Sequence, residues 1–358
     1  MTLARFALWL FIITLIGGLM IVGRDLLLPL VLAVVFWYLI NSLANFYGRL
    51  HVGGWTLPRW LALTGSMITS AVFLWLMGSI ITSNVSEVIK AAPGYQDRLQ
   101  KVLDSVTNYF GVAPFNLAEI FARFDLGGSL SQLAGGVASV AGVTGIIIVY
   151  VGFLFVEQVW FRRKLALIMR DPERAERARA ILHQISLDIQ TYIRIKTVLA
   201  VITAAIGYVI MRIVGLDFAG FWAVLIFFFY YIPTVGSLLA IISPTLLTLV
   251  QFDSIWQFIF VASTFGFTQI MMANFIEPMI MGRSLNLSPF VIILSLVLWG
   301  TIWGVIGMFL CMPIMVILMI VLANFDQTRS LAVMLSADGR VLGANERAAL
   351  QPPPPEAN

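Results

Sequence analysis

The sequence predicts an all-α polytopic membrane protein with about six full spans, two broken hairpin tracts and an inverted helix-hairpin repeat in the C-terminal half. Of its 358 residues, 60% are apolar and 11% are charged, and the mean hydropathy is +0.95. A soluble domain carries about 25% charged residues. This chain therefore has too few polar residues to cover such an apolar core in water. The apolar residues are gathered into about seven to eight or more membrane segments.

Six segments have the composition and length of one membrane crossing, which takes about 20 apolar residues. They are Phe6–Val22, Leu26–Tyr47, Trp60–Thr82, Gly136–Trp160, Thr197–Ile213 and Ile255–Ile276. The first segment follows a short basic start, as the apolar part of a signal peptide would. No small-residue cleavage motif precedes Arg24, so we predict an uncleaved first helix.

The polar stretch 83–135 separates the third and fourth predicted spans. Its apolar residues recur at helical spacing, which predicts short amphipathic helices on the membrane surface or against a neighbouring subunit. We expect these helices to be interrupted at Pro93-Gly94 and again at Gly111–Pro114, because both sequences disfavour helix.

The segment 161–196 is strongly basic, and basic loops stay on the cytoplasmic side of a membrane. Asp171, Pro172 and Glu173 are typical of a helix start, with Asp as the capping residue and Pro in the first turn. We expect this helix to run along the membrane face into the fifth span. A cytoplasmic basic segment places both chain termini in the cytoplasm and the stretch 83–135 outside, as in a bacterial inner-membrane protein.

Two further apolar tracts, Phe218–Val250 and Pro289–Leu322, have the wrong length for a simple span. As helix each would be about 50 Å long, which exceeds one crossing and is short for two. The first is interrupted at 230–237, around Pro233, and the second at 299–307, around Gly300 and Gly304. We predict that each tract is a hairpin, either re-entrant or made of two short crossings.

The predicted topology gives these hairpins opposite orientations. The fifth span and the first hairpin form a unit that the sixth span and the second hairpin repeat upside down. Paired interrupted segments in corresponding positions indicate a transporter site, because broken backbone at membrane depth is tolerated inside protein or beside a water-filled cavity. Gly and Pro also serve plain helix packing, as in Gly300-x-x-x-Gly304.

At the broken tracts and the end of the sixth span, the sequence resembles the autoinducer-2 exporter family. The motifs cover the C-terminal third closely, and the general layout matches over nearly the whole chain apart from the Pro-rich tail. The resemblance rests on three motifs. They are Tyr231-Ile232-Pro233-x-x-Gly236-Ser237, then Asn274-x-x-Glu277-Pro278-x-x-Met281-Gly282 with Leu285-x-Leu287-Ser288, and Ser295-Leu296-x-x-Trp299-Gly300-x-x-x-Gly304-x-x-Gly307-x-x-x-x-x-Pro313.

The resemblance implies export of autoinducer-2, a small polar furanone signal, by an elevator-like movement of the hairpin unit. It also implies a homo-oligomer such as a pentamer. Other branches of the family are linked to sodium–proton exchange, so the motifs leave the substrate open. The implied partners are a small-molecule substrate, the lipid bilayer and further copies of the chain, with no nucleic acid and no cofactor or metal.

These features divide the chain into six parts. Helices for scaffolding and oligomerisation occupy 1–82, followed by an extracytoplasmic amphipathic region at 83–135 and the fourth span at 136–160. A cytoplasmic basic helix at 161–196 leads into a transport unit at 197–322. A cytoplasmic tail at 323–358 ends in a Pro-rich stretch that we expect to be disordered.

The candidate substrate-binding or gating residues lie at the two interruptions and at the end of the sixth span. We expect the two hairpin tips to approach each other there, with hydroxyl, amide and aromatic groups around a small ring. The candidates are Tyr231, Pro233, Thr234, Gly236, Ser237, Asn274, Glu277, Pro278, Trp299, Gly300, Thr301, Trp303 and Gly304.

Charge is scarce in this part of the chain. Between Thr197 and Leu322 the charged residues lie at predicted span ends, as expected from the cost of a charge at the midplane. This pattern favours a neutral or weakly charged substrate. Glu277 is the one carboxylate that a moving hairpin could bury, or it forms a structural pair with Arg283 at the cytoplasmic edge.

Several alternatives stay open. The aromatic candidates could be interfacial belt anchors, and the Ser and Thr hydroxyls could bond their own helices. A non-transporting scaffold or a passive channel is also compatible with the sequence. An enzyme is not indicated, because the sequence has no phosphate-binding loop, no Gly-x-Ser-x-Gly turn and only two distant histidines, His51 and His183.

Overall fold

The computed structural model describes residues 3–49, 51–52, 55–110, 126–168, 171–281 and 286–340. These residues are almost entirely helical, which confirms the predicted all-α class. Two strands of two residues each, β1 (His51–Val52) and β2 (Trp55–Thr56), form a small antiparallel pair. The helices are α1 (Leu3–Val22), α2 (Arg24–Gly48), α3 (Arg59–Phe110), α4 (Leu126–Ile168), α5 (Pro172–Val214), α6 (Ala219–Phe229), α7 (Val235–Gln251), α8 (Ile255–Met271), α9 (Glu277–Met281), α10 (Pro289–Ala323) and α11 (Arg329–Leu335).

Six helical segments of the described residues are long and apolar enough to cross a membrane. Five cover predicted spans, and the sixth is the second broken tract. They are Arg24–Gly48, Arg59–Val85, Thr144–Phe161, Glu173–Val214, Ile255–Ile280 and Pro289–Ala323. The helix α1 occupies the first predicted span. The structure is therefore that of a multi-pass membrane protein.

The expected break at Pro93-Gly94 is wrong, because α3 continues as one helix of 52 residues to Phe110. Contacts beyond the third span hold this helix in place. The Tyr95 hydroxyl donates to Asp217 Oδ2 at 2.9 Å, and Arg98 Nη1 donates to the carbonyls of Val250 and Gln251. Such tertiary contacts override a local helix-breaking preference. The expected break at 111–114 lies outside the described residues.

The Asp217 contact also changes the protonation chemistry of Tyr95. Burial, and then the Asp217 carboxylate, raise the pKa of Tyr95 above its ordinary value. The phenol therefore remains protonated and keeps donating its hydrogen bond over the physiological pH range.

The basic helix starts and continues as the sequence predicts. The Asp171 carboxylate accepts a hydrogen bond from the Glu173 backbone N–H at 3.0 Å, which caps the first turn. The helix α5 then runs without a break from Pro172 to Val214, joining the basic segment to the fifth span.

Both broken tracts contain reversals of the chain. The first consists of α6 and α7, with a turn at Tyr230–Thr234 between them. The second is α10, whose helical geometry is interrupted at Gly304 with φ 64° and ψ −146°. A Cβ on Gly307 would lie 1.9 Å from the Trp299 carbonyl oxygen, whereas residues eight apart in a straight helix are about 12 Å apart along its axis. The predicted hairpins are thus present.

The chain forms two compact units, one made of 1–46, 145–194 and 281–358, and the other of 47–144 and 195–280. We call them the N/C unit and the central unit. In the central unit, α5, α6, α7 and α8 share an apolar core built around Met211, Ile226, Val261 and Phe265. In the N/C unit, α11 packs on the end of α10 through Ala332 and Ala323.

Candidate transport site

The central unit contains an ion pair between the buried Lys196 on α5 and the half-buried Glu277 at the start of α9. Lys196 Nζ lies 2.5 Å from Glu277 Oε1, and the two side chains are 10% and 24% exposed. The second carboxylate oxygen, Oε2, accepts a hydrogen bond from the Tyr230 hydroxyl at 3.1 Å. Both oxygens of the Glu277 carboxylate therefore have partners.

Tyr230 links this pair to the tip of the first hairpin. Its ring centroid lies 5.0 Å from Lys196 Nζ, which allows a cation–π attraction in addition to the hydroxyl contact with Glu277. One residue further along each element, the hydroxyls of Thr197 and Tyr231 are 2.7 Å apart. The start of the fifth span therefore holds the hairpin tip through two adjacent tyrosines.

The position of Glu277 depends on a local change of helix type. A π-helical segment, Met272–Ile276, joins α8 to α9, and Glu277 follows it directly. Such segments insert an extra residue into a helix and occur often at functional sites. Here the inserted residue sets the direction in which the Glu277 carboxylate leaves the helix.

The tip of the first hairpin contains a tight turn centred on Thr234. Thr234 has φ 59° and ψ −59°, and the Val235 N–H donates to the Pro233 carbonyl at 2.6 Å. This is the rarer, strained form of the γ-turn, which costs a non-glycine residue free energy. Gly236 follows at a point of close approach, because a Cβ there would lie 1.8 Å from the Phe229 carbonyl oxygen.

The tip of the second hairpin, in the N/C unit, is built on the same principle. Gly307 lies against the Trp299 carbonyl as Gly236 lies against that of Phe229. The positive φ and extended ψ of Gly304 are available almost only to glycine. The rings of Trp299 and Trp303 are 5.1 Å apart, and the Trp303 indole N–H donates to the Met20 carbonyl at 3.1 Å. Both tryptophans are buried.

The polar candidates mostly use their donors within their own helices. Ser237 donates to the Thr234 carbonyl, Asn274 to that of Ile270, and Thr301 to that of Val297. This is the ordinary behaviour of such residues in apolar helices. The candidates differ in exposure. Buried candidates include Tyr231 and Gly236, Pro233 is half-buried, and Gly300 lies against the Met308 side chain. The exposed candidates are Thr234, Asn274, Pro278, Thr301 and Gly304.

The central unit thus brings Glu277 together with the first hairpin tip. The candidates on the second tip belong to the N/C unit, so the expected meeting of the two tips stays a prediction. So does the pair between Glu277 and Arg283, since Arg283 lies outside the described residues. Lys196 and Tyr230 are additions that the sequence reasoning missed. The uninterrupted helix from Pro172 into the fifth span could have placed Lys196 within the membrane-associated helix.

No group of three or more His, Cys, Asp or Glu side chains that could hold a metal ion occurs among the residues described. The central unit offers the ion pair and the hydroxyls of Tyr230 and Tyr231, and the N/C unit separately offers the indole groups of Trp299 and Trp303. Such groups can bind and release a solute through hydrogen bonds and ring contacts.

Comparison with known proteins supports a transport role. The AI-2E family transporter model matches residues 8–327. The AI-2 transport protein TqsA of Escherichia coli strain K12 is 28% identical over 323 residues, covering 88% of this chain and 90% of the relative. The putative transport protein YhhT of the same strain is 24% identical, with 87% and 88% covered. A putative transport protein of Borreliella burgdorferi is 25% identical, with 86% and 83% covered.

The family match spans both hairpins, the ion pair and all but the ends of the chain. The family is one of transporters, not of enzymes. The chain belongs to the AI-2E transporter family.

Proposed function

We propose that this protein exports a small neutral polar signal of the autoinducer-2 type across the bacterial inner membrane. The observation that carries the proposal is the pairing of Lys196 with Glu277. The positive charge of Lys196 and the negative charge of Glu277 cancel. Around this ion pair, the membrane-associated part of the central unit therefore presents hydroxyl and aromatic groups and no net charge. A neutral solute with several oxygen atoms suits such a surface better than an ion does.

The name of one relative supports the same substrate class, since TqsA is called an AI-2 transport protein. We further propose an elevator-like movement of the hairpin-bearing part, a homo-oligomer such as a pentamer, and cytoplasmic chain termini. These features are implied by the family resemblance and by the placement of basic residues. The lipid bilayer and the transported molecule are the other partners in this proposal.

Glu277 has a specific role in the proposed cycle. Its carboxylate joins α9, α5 and the first hairpin tip, so movement of the hairpin must break or carry these contacts. We therefore assign Glu277 as a gating residue, and Lys196 and Tyr230 as the groups that position it.

The test is efflux of autoinducer-2 from liposomes that contain the purified protein, with protein-free liposomes as the control. Saturable, protein-dependent efflux supports the proposal, and its response to an imposed pH gradient shows whether protons are coupled. Glu277→Gln should abolish efflux because it removes the charge that Lys196 and Tyr230 hold. Full activity in that variant would remove Glu277 from the mechanism.

The other outcomes separate the alternatives. Folded protein without efflux refutes the proposal, and a pH-sensitive dye under a sodium gradient then tests sodium–proton exchange. Efflux that does not saturate indicates a passive channel. No transport in either assay, together with specific capture of a partner protein, indicates a scaffold.

A further inference from the structure

The first arm of the second hairpin carries two buried donors that have no partner among the described residues. They are the Ser295 hydroxyl and the Trp299 indole N–H. Ser295 is 3% exposed and Trp299 is 9% exposed. Buried donors are almost always satisfied by protein, water or ligand, since an unmade hydrogen bond is costly. Two of them on one helix therefore require an explanation.

The two residues are four positions apart, so they lie on the same face of α10, about 6 Å apart along its axis. The next aromatic residue on this face, Trp303, differs in one respect. Its indole N–H already donates to the Met20 carbonyl, while its ring packs beside that of Trp299. The indole N–H of Trp303 is therefore hydrogen-bonded, whereas that of Trp299 has no partner among the described residues.

Ser295 is also unusual for a serine in an apolar helix. Such hydroxyls ordinarily donate to a carbonyl one turn earlier in the same helix. Thr301 on α10 does so, and so does the fully buried Ser66 on α3, which donates to the Leu63 carbonyl at 2.8 Å. Ser295 makes no such bond.

We propose that Ser295 Oγ and Trp299 Nε1 together bind the oxygen atoms of a small, neutral, hydroxylated substrate. An indole N–H only donates, so it requires an oxygen acceptor, whereas a serine hydroxyl can donate or accept. The helix α10 has no charged residue between Pro289 and Ala323, which disfavours an ionic ligand. This inference rests on the proposed function and adds the contact that would recognise the substrate.

The test combines two conservative substitutions with two matched controls. Ser295→Ala removes one open donor at nearly the same volume, whereas Trp299→Phe removes the other donor together with part of the buried indole ring. Trp37→Phe removes an indole N–H that already donates to Gln158 Oε1 at 3.2 Å, and Ser66→Ala removes a buried hydroxyl that is already bonded. Two measurements are made on the four single variants and on the double variant that combines Trp299→Phe with Ser295→Ala. They are thermal unfolding in detergent without substrate, and saturation curves for autoinducer-2 efflux.

We expect Ser295→Ala to keep or raise the melting temperature, because it breaks no bond within the protein. Trp299→Phe also loses ring packing against Trp303, so it is judged by its KM and not by its melting temperature. Each should raise KM roughly 2–10-fold, the effect of one lost neutral hydrogen bond. The controls should lower the melting temperature and leave KM unchanged.

Two outcomes overturn the inference. The first is an unchanged KM in the double variant while the unaltered protein transports normally, which leaves the proposed function standing. The second is a fall in melting temperature in Ser295→Ala as large as in Ser66→Ala, which would mean that the Ser295 hydroxyl bonds inside the protein or to an ordered water only. Absence of efflux by the unaltered protein refutes the proposed function instead, and the melting comparison of the two serine variants still decides whether the Ser295 hydroxyl is unpartnered.

Discussion

Lys196 and Glu277 are 81 positions apart in the sequence, yet the ammonium of one lies 2.5 Å from the carboxylate of the other. The Lys196 side chain is 10% exposed, and among the described residues the Glu277 carboxylate is the group that compensates its charge. Removal of one partner from a buried pair leaves an uncompensated charge, and this costs more than removal of both. The pair is therefore a structural constraint as well as a candidate gate.

The first prediction is a strong coupling between these residues in a double-mutant cycle. Lys196→Met or Glu277→Gln alone should lower the free energy of unfolding by roughly 2–3 kcal/mol, below the fully buried range because Glu277 is partly exposed. The double variant should lose less than the sum of the two, with a coupling of about 1–3 kcal/mol. Thermal and denaturant unfolding in detergent measures these changes.

The matched control for this cycle is the pair of Lys164 and Glu157 on α4. Its atoms are 2.7 Å apart, but the side chains are 57% and 48% exposed. An exposed pair is worth about 0–1 kcal/mol, so Glu157→Gln should change stability little. Equal losses in the buried and exposed pairs would contradict the role of burial.

The second prediction concerns the two close approaches at the hairpin tips. Gly236→Ala and Gly307→Ala would each place a methyl group less than 2 Å from a backbone carbonyl oxygen. Backbone cannot move aside as a flexible side chain can, so each variant should lose roughly 3 kcal/mol or more of stability.

Gly266 on α8 provides the control, because a Cβ there meets nothing within 4 Å. Gly266→Ala should raise the free energy of unfolding by about 0.5–1 kcal/mol, the ordinary gain for alanine in a helix. A normal melting temperature in Gly236→Ala and Gly307→Ala would show that both hairpin tips have room for a methyl group.

The third prediction concerns the strained turn at Thr234. Thr234→Gly should raise stability by up to about 1 kcal/mol, because relief of a positive φ exceeds the extra chain entropy of glycine. The same substitution at Thr82, an exposed helical residue of α3, should lower stability. Melting temperatures of the two variants check the signs. If Thr234→Gly is as destabilising as Thr82→Gly, the turn carries no strain.

The fourth prediction concerns the contact between the segments 286–288 and 335–340, which we call the C-terminal clasp. In it the Ser288 N–H donates to the Leu335 carbonyl at 2.9 Å, and the Ala337 N–H donates to the Asn286 carbonyl at 3.1 Å. The backbone N–H of Arg340, and then the Asn286 side chain, lower the pKa of Asp338 below its ordinary value of 3.8. A lowered pKa in the folded state stabilises the clasp above pH 3.8, and this contribution is lost as the pH falls through the folded value.

Amide exchange of the segment 329–340, corrected for the intrinsic rate at each pH, measures this effect. Protection should fall in acid below pH 3.8, and Asp338→Asn should show low protection at neutral pH as well. Asp326→Asn, which changes an exposed carboxylate of the same unit, serves as the control. Unchanged protection in Asp338→Asn would contradict the role of the carboxylate.

The hairpins could be predicted because their cause is local. A tract too long for one crossing, with Pro233 or Gly304 near its middle, has few other ways to lie in a bilayer. The start of α5 was predictable for the same reason, since Asp171 caps the N–H of a residue two positions away.

Features that depend on distant contacts could not be predicted. Pro93 does not end α3, because Tyr95 and Arg98 dock on Asp217 and on the end of α7, more than 100 positions away. The contact of Glu277 with Lys196 could not be predicted, because Lys196 is the last residue of the basic segment and lies one position before the predicted fifth span. The unpartnered hydroxyl of Ser295 could not be predicted either, because the sequence does not show which face of α10 is buried.

The π-helical segment Met272–Ile276 fixes the direction of the Glu277 side chain without any break in the helix. Adjacent residues of a helix differ by about 100° around its axis, so the one extra residue decides which side of the helix the carboxylate faces. Because it inserts one residue before Glu277, the π-helical segment is what turns the carboxylate toward Lys196 and Tyr230.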